Sequence, residues 1–255
     1  MVEANASGAA RLAGRHRRWS RSLQGRSCQD DGVTQTWTDS LWTEGSAIYR
    51  AILGHPFLLG LTSGSLGPDR FAYYVAQDAH YLRDYARALA VVSAKAPTHA
   101  AAGMFARHAA GTVDVELALH ATLLPEFGLH PTELDGIPVS PTTLSYTSYL
   151  LATVHGGSFT EGLAAVLPCY WIYARVGAAL LAEGSPDPRY QRWIDTYAGE
   201  VFTAAVSEVL SFADSVGVDL GAADDARARR HFVITSRYEW MFWDAAWRLE
   251  QWPMP

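Results

Sequence analysis

Nowhere beyond residue 38 does this chain alternate apolar and polar side chains with the period of two that a half-buried strand requires. What recurs is the three-to-four-residue spacing of amphipathic helices, cut at intervals by Gly and Pro. Asp39 and Ser40 have the form of an N-cap before LWTEGSAIYRAIL. The stretch GHPFLLGLTSGSLGPDR, residues 54–70, reads as a loop. Further helices are expected over about 68–96, from 99 to Pro125 or Gly128, and over 141–156, 159–182, 188–216 and 222–250. Residues 128–140 read as a Pro/Gly loop. About seven or more long helices with short connections specify an all-α bundle, with no internal repeat and no linker after residue 38.

The 255 residues, 49% of them hydrophobic and 18% charged, suffice for one large globular core. A net charge of −6 and the lack of a basic face in the main body argue against a nucleic-acid partner. No uninterrupted apolar run approaches the roughly 20 residues of a membrane span. The only cysteines are Cys28 and Cys169, which make no disulfide framework, so a reducing cytoplasm is the expected compartment. Nine Trp, twelve Tyr and nine Phe are enough to line a pocket as well as fill a core.

Residues 1–38 stand apart. Arg11, Arg15, Arg17, Arg18, Arg21 and Arg26 lie there among Ser, Gly and Gln, with Glu3 the sole acid before Asp30. The segment has the composition of a transit peptide but no apolar core of a secretory signal. A disordered N-terminal extension, outside a domain covering 39–255, is the expectation.

The stretch at residues 167–177, LPCYWIYARVG, places Cys169 directly after Pro168 inside a helical pattern. Proline removes a backbone donor and crowds the carbonyl four residues back, so the helix is expected to kink or restart there. A restarted helix would turn free N–H groups toward the sulfur and lower its pKa, which makes a nucleophilic thiolate. Tyr173, four residues on, shares its face. The alternative is an inert buried thiol.

In FAYYVAQDAHYLRDYARAL, Tyr74, Asp78, Tyr81 and Tyr85 fall on one stripe. A carboxylate among three phenols suits a grip on an amino-substituted heterocycle, or else a satisfied buried acid. His80 points elsewhere. In the last helix Glu239 is flanked at helical spacing by Ser236, Phe242, Trp243 and Ala246. Desolvation there should raise its pKa, as a general acid at neutral pH needs, unless the side chain reaches solvent past the rings. Asp244 lies on another face. Tyr146 and Tyr149 in SYTSY, and Tyr197 before a small Ala-Gly pair, are weaker signals that core packing also explains. Glu116 and His120, at i and i+4, resemble half of a carboxylate–histidine metal set, but no second pair accompanies them, so no metal is expected.

As a set, HPF at 55–57, RFAYYVAQDAHYL at 70–82, SPTTLSYTSYL at 140–150, LPCYWIYARVG at 167–177, WIDTYAGEVF at 193–202 and FVITSRYEWMFWDAAW at 232–247 resemble the TenA / thiaminase II family. The resemblance covers about residues 39–252. It implies a haem-oxygenase-like helical bundle assembled as a homotetramer, needing no cofactor and working in the cytoplasm on thiamine salvage. The cysteine-containing branch hydrolyses 4-amino-5-aminomethyl-2-methylpyrimidine to the hydroxymethyl pyrimidine and ammonia, and cleaves thiamine more slowly. By position, Cys169 resembles the family nucleophile, Glu239 its proton donor and Tyr81 the tyrosine that sharpens the cysteine. Asp78, Tyr173, Tyr146 and Tyr197 resemble substrate contacts. Ala79-His80 departs from many relatives without touching the matched Asp or Tyr. A non-catalytic pyrimidine-binding or regulatory protein is the alternative, and a metal-dependent oxidase on the same bundle a weaker one.

Overall fold

The computed structural model describes residues 35–122, 124–128 and 136–254, the side chains of 115–121 excepted. Among these residues there is no strand. The helices in chain order are α1 (Trp37–Leu53), α2 (Pro56–Ser63), α3 (Pro68–Lys95), α4 (His99–Thr122), α5 (Pro141–Gly156), α6 (Phe159–Glu183), α7 (Pro188–Ala198), α8 (Glu200–Gly217) and α9 (Ala222–Arg248). A short 3-10 turn, Leu124–Phe127, follows α4.

The first helix begins earlier than the Asp39-Ser40 cap predicted. Thr36 is the N-cap, and Asp39 is the third helical residue of a capping box that satisfies two orphan donors at once. Trp37 is buried, and its indole N–H donates to Asp225 of α9 at 2.7 Å. The rest of the expected extension, residues 1–34, lies outside the described residues, as does Cys28.

Two further boundaries differ. Within the stretch read as a loop, His55 caps α2 through Nδ1, Pro56 occupies its first turn, and Phe57, Leu58 and Leu61 are buried. The expected helix over 188–216 is two helices, because Gly199 is extended (φ −67°, ψ 152°) and serves as C-cap of α7 and N-cap of α8.

Helix α6 is the centre of the bundle. It packs against α9, α7, α5, α8 and α3. Residues 162–168 are buried without a break, the mark of a helix surrounded by protein on all sides. By length and composition α6 could cross a membrane, contrary to the sequence expectation, but most of it is covered by the other helices. Helix α6 also runs unbroken through Pro168, so no fresh helix N-terminus forms at Cys169. The single lysine, Lys95, ends α3 and donates to the His155 and Gly157 carbonyls at 2.9 and 2.7 Å, satisfying the C-terminus of α5.

Candidate active site

A cavity of about 390 Å³ opens beside α6. Asp78, Tyr81 and Tyr85 enter it from α3, Cys169 and Tyr173 from α6, and Tyr197 from α7. Arg107, His108 and Thr112 of α4, Tyr170 of α6, and Val201, Phe202 and Ala205 of α8 also line it. The stripe spacing of α3 carries straight into this arrangement, since residues four and seven apart share a helix face. Gly177 makes the approach of α7 possible. A Cβ there would lie 2.6 Å from the Tyr197 carbonyl carbon and 2.8 Å from the Ala198 nitrogen. The small residue that lets α7 come this close is therefore Gly177 of α6, on the helix opposite the Ala198-Gly199 pair that follows Tyr197.

Six of the residues singled out from sequence, Asp78, Tyr81, Tyr85, Cys169, Tyr173 and Tyr197, line this one cavity. Tyr146 and Glu239 do not line it; they stand immediately behind its Tyr81 wall. Tyr146 donates its phenol proton to Glu239 Oε1 at 2.5 Å across 93 residues of chain. The Tyr146 ring packs on Tyr81 at 4.8 Å between centroids. Glu239 is 1% exposed. Burial is the main cause that pushes its pKa up to about 8; the Tyr146 hydrogen bond opposes this and the Asp78 charge adds to it. At neutral pH Glu239 therefore carries a proton.

The thiol departs from expectation. Burial, and then Glu239 and Asp78, push the Cys169 pKa well above its ordinary value, and Tyr81 and Tyr85, which pull the other way, do not offset them. Helix α6 offers the sulfur no terminus of its own to offset this, since it runs on through Pro168. The surface that Cys169 keeps is turned into the cavity, so the residue is part-exposed by area while its sulfur is shielded from bulk water. Cys169 rests as a thiol.

Among the described residues three buried polar atoms lack a partner: the Tyr81 hydroxyl and the indole nitrogens of Trp193 and Trp243. The Tyr81 phenol approaches Cys169 closely enough to favour its thiolate but completes no hydrogen bond. An unmet buried hydroxyl costs stability, and a bound ligand or a reacting sulfur would repay it. Trp243 stacks on Tyr74 (5.1 Å, 5°) and Tyr74 meets the Tyr173 hydroxyl at 3.1 Å, which fixes the floor beneath the cavity. Tyr149 is not part of the site; it meets His231 Nδ1 at 2.7 Å. His80 bonds the Ile137 carbonyl at 3.0 Å, and Asp244 is half-buried between His55 and Arg248. The Glu116 and His120 side chains lie outside the described residues.

The sequence matches the family model described as TENA/THI-4/PQQC family over residues 42–249. The chain belongs to the TENA/THI-4/PQQC family. This TENA/THI-4/PQQC member is 39% identical over 211 residues to the aminopyrimidine aminohydrolase of Bacillus subtilis strain 168, covering 83% of this chain and 87% of that one. Its fold superposes on a TenA homologue from P. horikoshii OT3 with a TM-score of 0.77 and 32% identity, over 84% of this chain and 99% of the other. It also superposes on a haem-oxygenase-like domain from Shewanella denitrificans OS217 with a TM-score of 0.66 at 16% identity, over 83% and 92% of the two chains, a likeness of fold.

His108 and Tyr170 escaped the sequence reading. Both line the cavity. Tyr170 adjoins Cys169 in LPCYW and stood in plain view, but its importance depends on a histidine 62 residues away.

Proposed function

We propose that this protein is an aminopyrimidine hydrolase of thiamine salvage, acting on 4-amino-5-aminomethyl-2-methylpyrimidine and, with a larger leaving group, on thiamine. The observation that carries the reading is a thiol and a carboxylate, Cys169 and Asp78, on one aromatic cavity, backed by a carboxyl that keeps its proton at neutral pH. The 39% identity to a protein named aminopyrimidine aminohydrolase supports the same substrate class. The electrostatics also suit it. Asp78 is a buried acid on the cavity wall, and among the described residues Arg107, the one Lys or Arg of that wall, is paired with Glu208. A protonated aminomethyl group and a thiazolium are both cationic and would be drawn to such a pocket.

Asp78 holds the amino-substituted face of the ring, and Tyr173 and Tyr197 enclose it. Tyr146 keeps Glu239 in place, and Glu239 gives its proton to a ring nitrogen, making the ring electrophilic. The Cys169 sulfur, oriented by Tyr81, adds to the activated ring carbon. Electrons returning through the ring expel the amine from the exocyclic CH2; water adds there and the thiolate leaves. This is nucleophilic catalysis with acid–base help, and it asks for no metal or organic cofactor. A cytoplasmic location and assembly as a homotetramer belong to the same proposal, the second readable by sedimentation equilibrium.

Ammonia release from the aminomethyl pyrimidine tests the proposal. Wild type should turn it over, Cys169→Ser should lose most turnover with its helical spectrum intact, and Cys28→Ser should match wild type. Equal turnover by Cys169→Ser and wild type would remove the covalent route, and tight binding without turnover by wild type would favour a binding protein.

A further inference from the structure

A resting thiol must lose its proton as the sulfur attacks, and the acid already assigned, Glu239, holds a proton of its own at neutral pH. On the other side of Cys169 stands a histidine–carboxylate pair. His108 Nε2 lies 3.3 Å from Glu208 Oε2, and His108 Nδ1 lies 3.0 Å from the Tyr170 hydroxyl. A carboxylate can only accept from Nε2–H, so the neutral ring presents Nδ1 as an acceptor and Tyr170 donates to it. The imidazole is 9% exposed and Glu208 47%, so the string runs from the cavity wall out to solvent. Tyr85 lines the cavity with Cys169 and Tyr170 and meets the Tyr170 ring edge-on at 5.8 Å between centroids; its hydroxyl favours the ionised form of both neighbours, while at rest it donates to the Val166 carbonyl at 2.9 Å.

We propose that His108, backed by Glu208, is the positioning base that takes the Cys169 thiol proton through the Tyr85 and Tyr170 hydroxyls. The substrate identity rests on the reading above; the proton path does not. As the S–H bond breaks, its proton passes to the Tyr85 oxygen, the Tyr85 proton to the Tyr170 oxygen, and the Tyr170 proton to His108 Nδ1. Both tyrosines end as neutral phenols. The sulfur's electron pair forms the bond to the ring carbon, and the new imidazolium is balanced by the Glu208 carboxylate. When the thiolate leaves at the end of the cycle, the proton returns by the same path. The charged and titratable groups facing His108 and Tyr170 are Glu208 from α8, Arg107 from α4 itself, and Tyr85 and Cys169 from α3 and α6. Burial is the leading influence on His108 and lowers its pKa, which keeps it neutral and able to accept.

The test is His108→Asn, which retains an acceptor near the Nδ1 position but takes no proton, with Tyr170→Phe as a second variant. Two readouts are measured from pH 6 to pH 10: alkylation of Cys169 by iodoacetamide, resolved by mass spectrometry, and turnover of the aminomethyl pyrimidine. Loss of a general base is typically worth about 10²- to 10⁴-fold. In both variants Cys169 alkylation near neutral pH should fall by at least about tenfold, converging on wild type at high pH where hydroxide removes the proton. kcat should fall in parallel with KM little changed. Unaltered alkylation and turnover profiles in His108→Asn would overturn the proposal. Wild type inactive on the pyrimidine, with alkylation still slowed in His108→Asn, would sink the substrate assignment alone and uphold the proton path.

Discussion

Glu239 shows how one side chain ties activity to stability. An acid serves only while it holds its proton, so kcat should decline as pH rises through about 8. Glu239→Gln keeps the shape and loses the proton; kcat should drop by about 10²- to 10⁴-fold, with Kd from direct binding far less affected. Asp78→Asn should show the reverse, weaker binding first. Linkage adds a second signature. The folded-state pKa lies above the ordinary 4.5, so between 4.5 and about 8 the native state binds more protons than the unfolded one. The stability that this difference represents is fully present below 4.5 and is lost as pH rises through 8, of the order of a few kcal/mol. Urea unfolding at pH 5 and pH 9 should show that slope in wild type and a flatter one in Glu239→Gln; equal slopes would mean the carboxyl is not desolvated.

At the scale of elements, helices are placed by small residues and by caps. Gly177→Ala puts a methyl against the α7 backbone, which cannot yield as a flexible side chain would. A loss of about 1–3 kcal/mol is expected, with weaker pyrimidine binding as Tyr197 is pushed from the cavity. Gly103→Ala in α4 meets only the Arg107 side chain at 3.7 Å and should be neutral or stabilising by up to about 1 kcal/mol. Comparable Tm for the two variants would contradict the close approach. Truncation probes α1. A chain starting at Gln35 keeps the Thr36 cap, the Trp37–Asp225 bond and the 2.8 Å bond from Thr38 N–H to Asp214; one starting at Asp39 loses all three. The shorter chain should melt several degrees lower, at a size where about 1 kcal/mol is worth roughly 2–4 °C. The cap at Thr36 was missed because Asp39 is itself a good cap residue, and only the packing of Trp37 on α9 draws the helix back to include it. Helix α2 was missed because HPFLLGLTSG carries the Gly and Pro of a loop, while its helicity depends on burying Phe57, Leu58 and Leu61.

At the scale of the molecule, the cavity and the acid behind it draw on α3, α4, α5, α6, α7, α8 and α9, from Asp78 to Glu239. Among the described residues no group of three or more His, Cys, Asp or Glu stands together as a metal site would require. Turnover should survive EDTA undiminished; loss of activity on chelation, restored by iron or manganese, would instead support an oxidase.

What the sequence by itself determined is what local periodicity carries. It set the all-helical class, the stripe from Tyr74 to Tyr85, the shared face of Cys169 and Tyr173, and Glu239 among rings on α9, because a helix face follows from residue spacing alone. Only the tertiary structure decided the ionisation of the thiol. Pro168 suggested a helix end beside Cys169, but α6 is clamped by five neighbouring helices and runs on, and burial, with the acids Glu239 and Asp78 brought from α9 and α3, keeps the sulfur a thiol. The Tyr146–Glu239 bond and the Tyr170–His108–Glu208 string likewise join partners 93, 62 and 100 residues apart. Electrostatic energies depend on distances of a few ångströms between helices, and those distances arise only when the bundle closes.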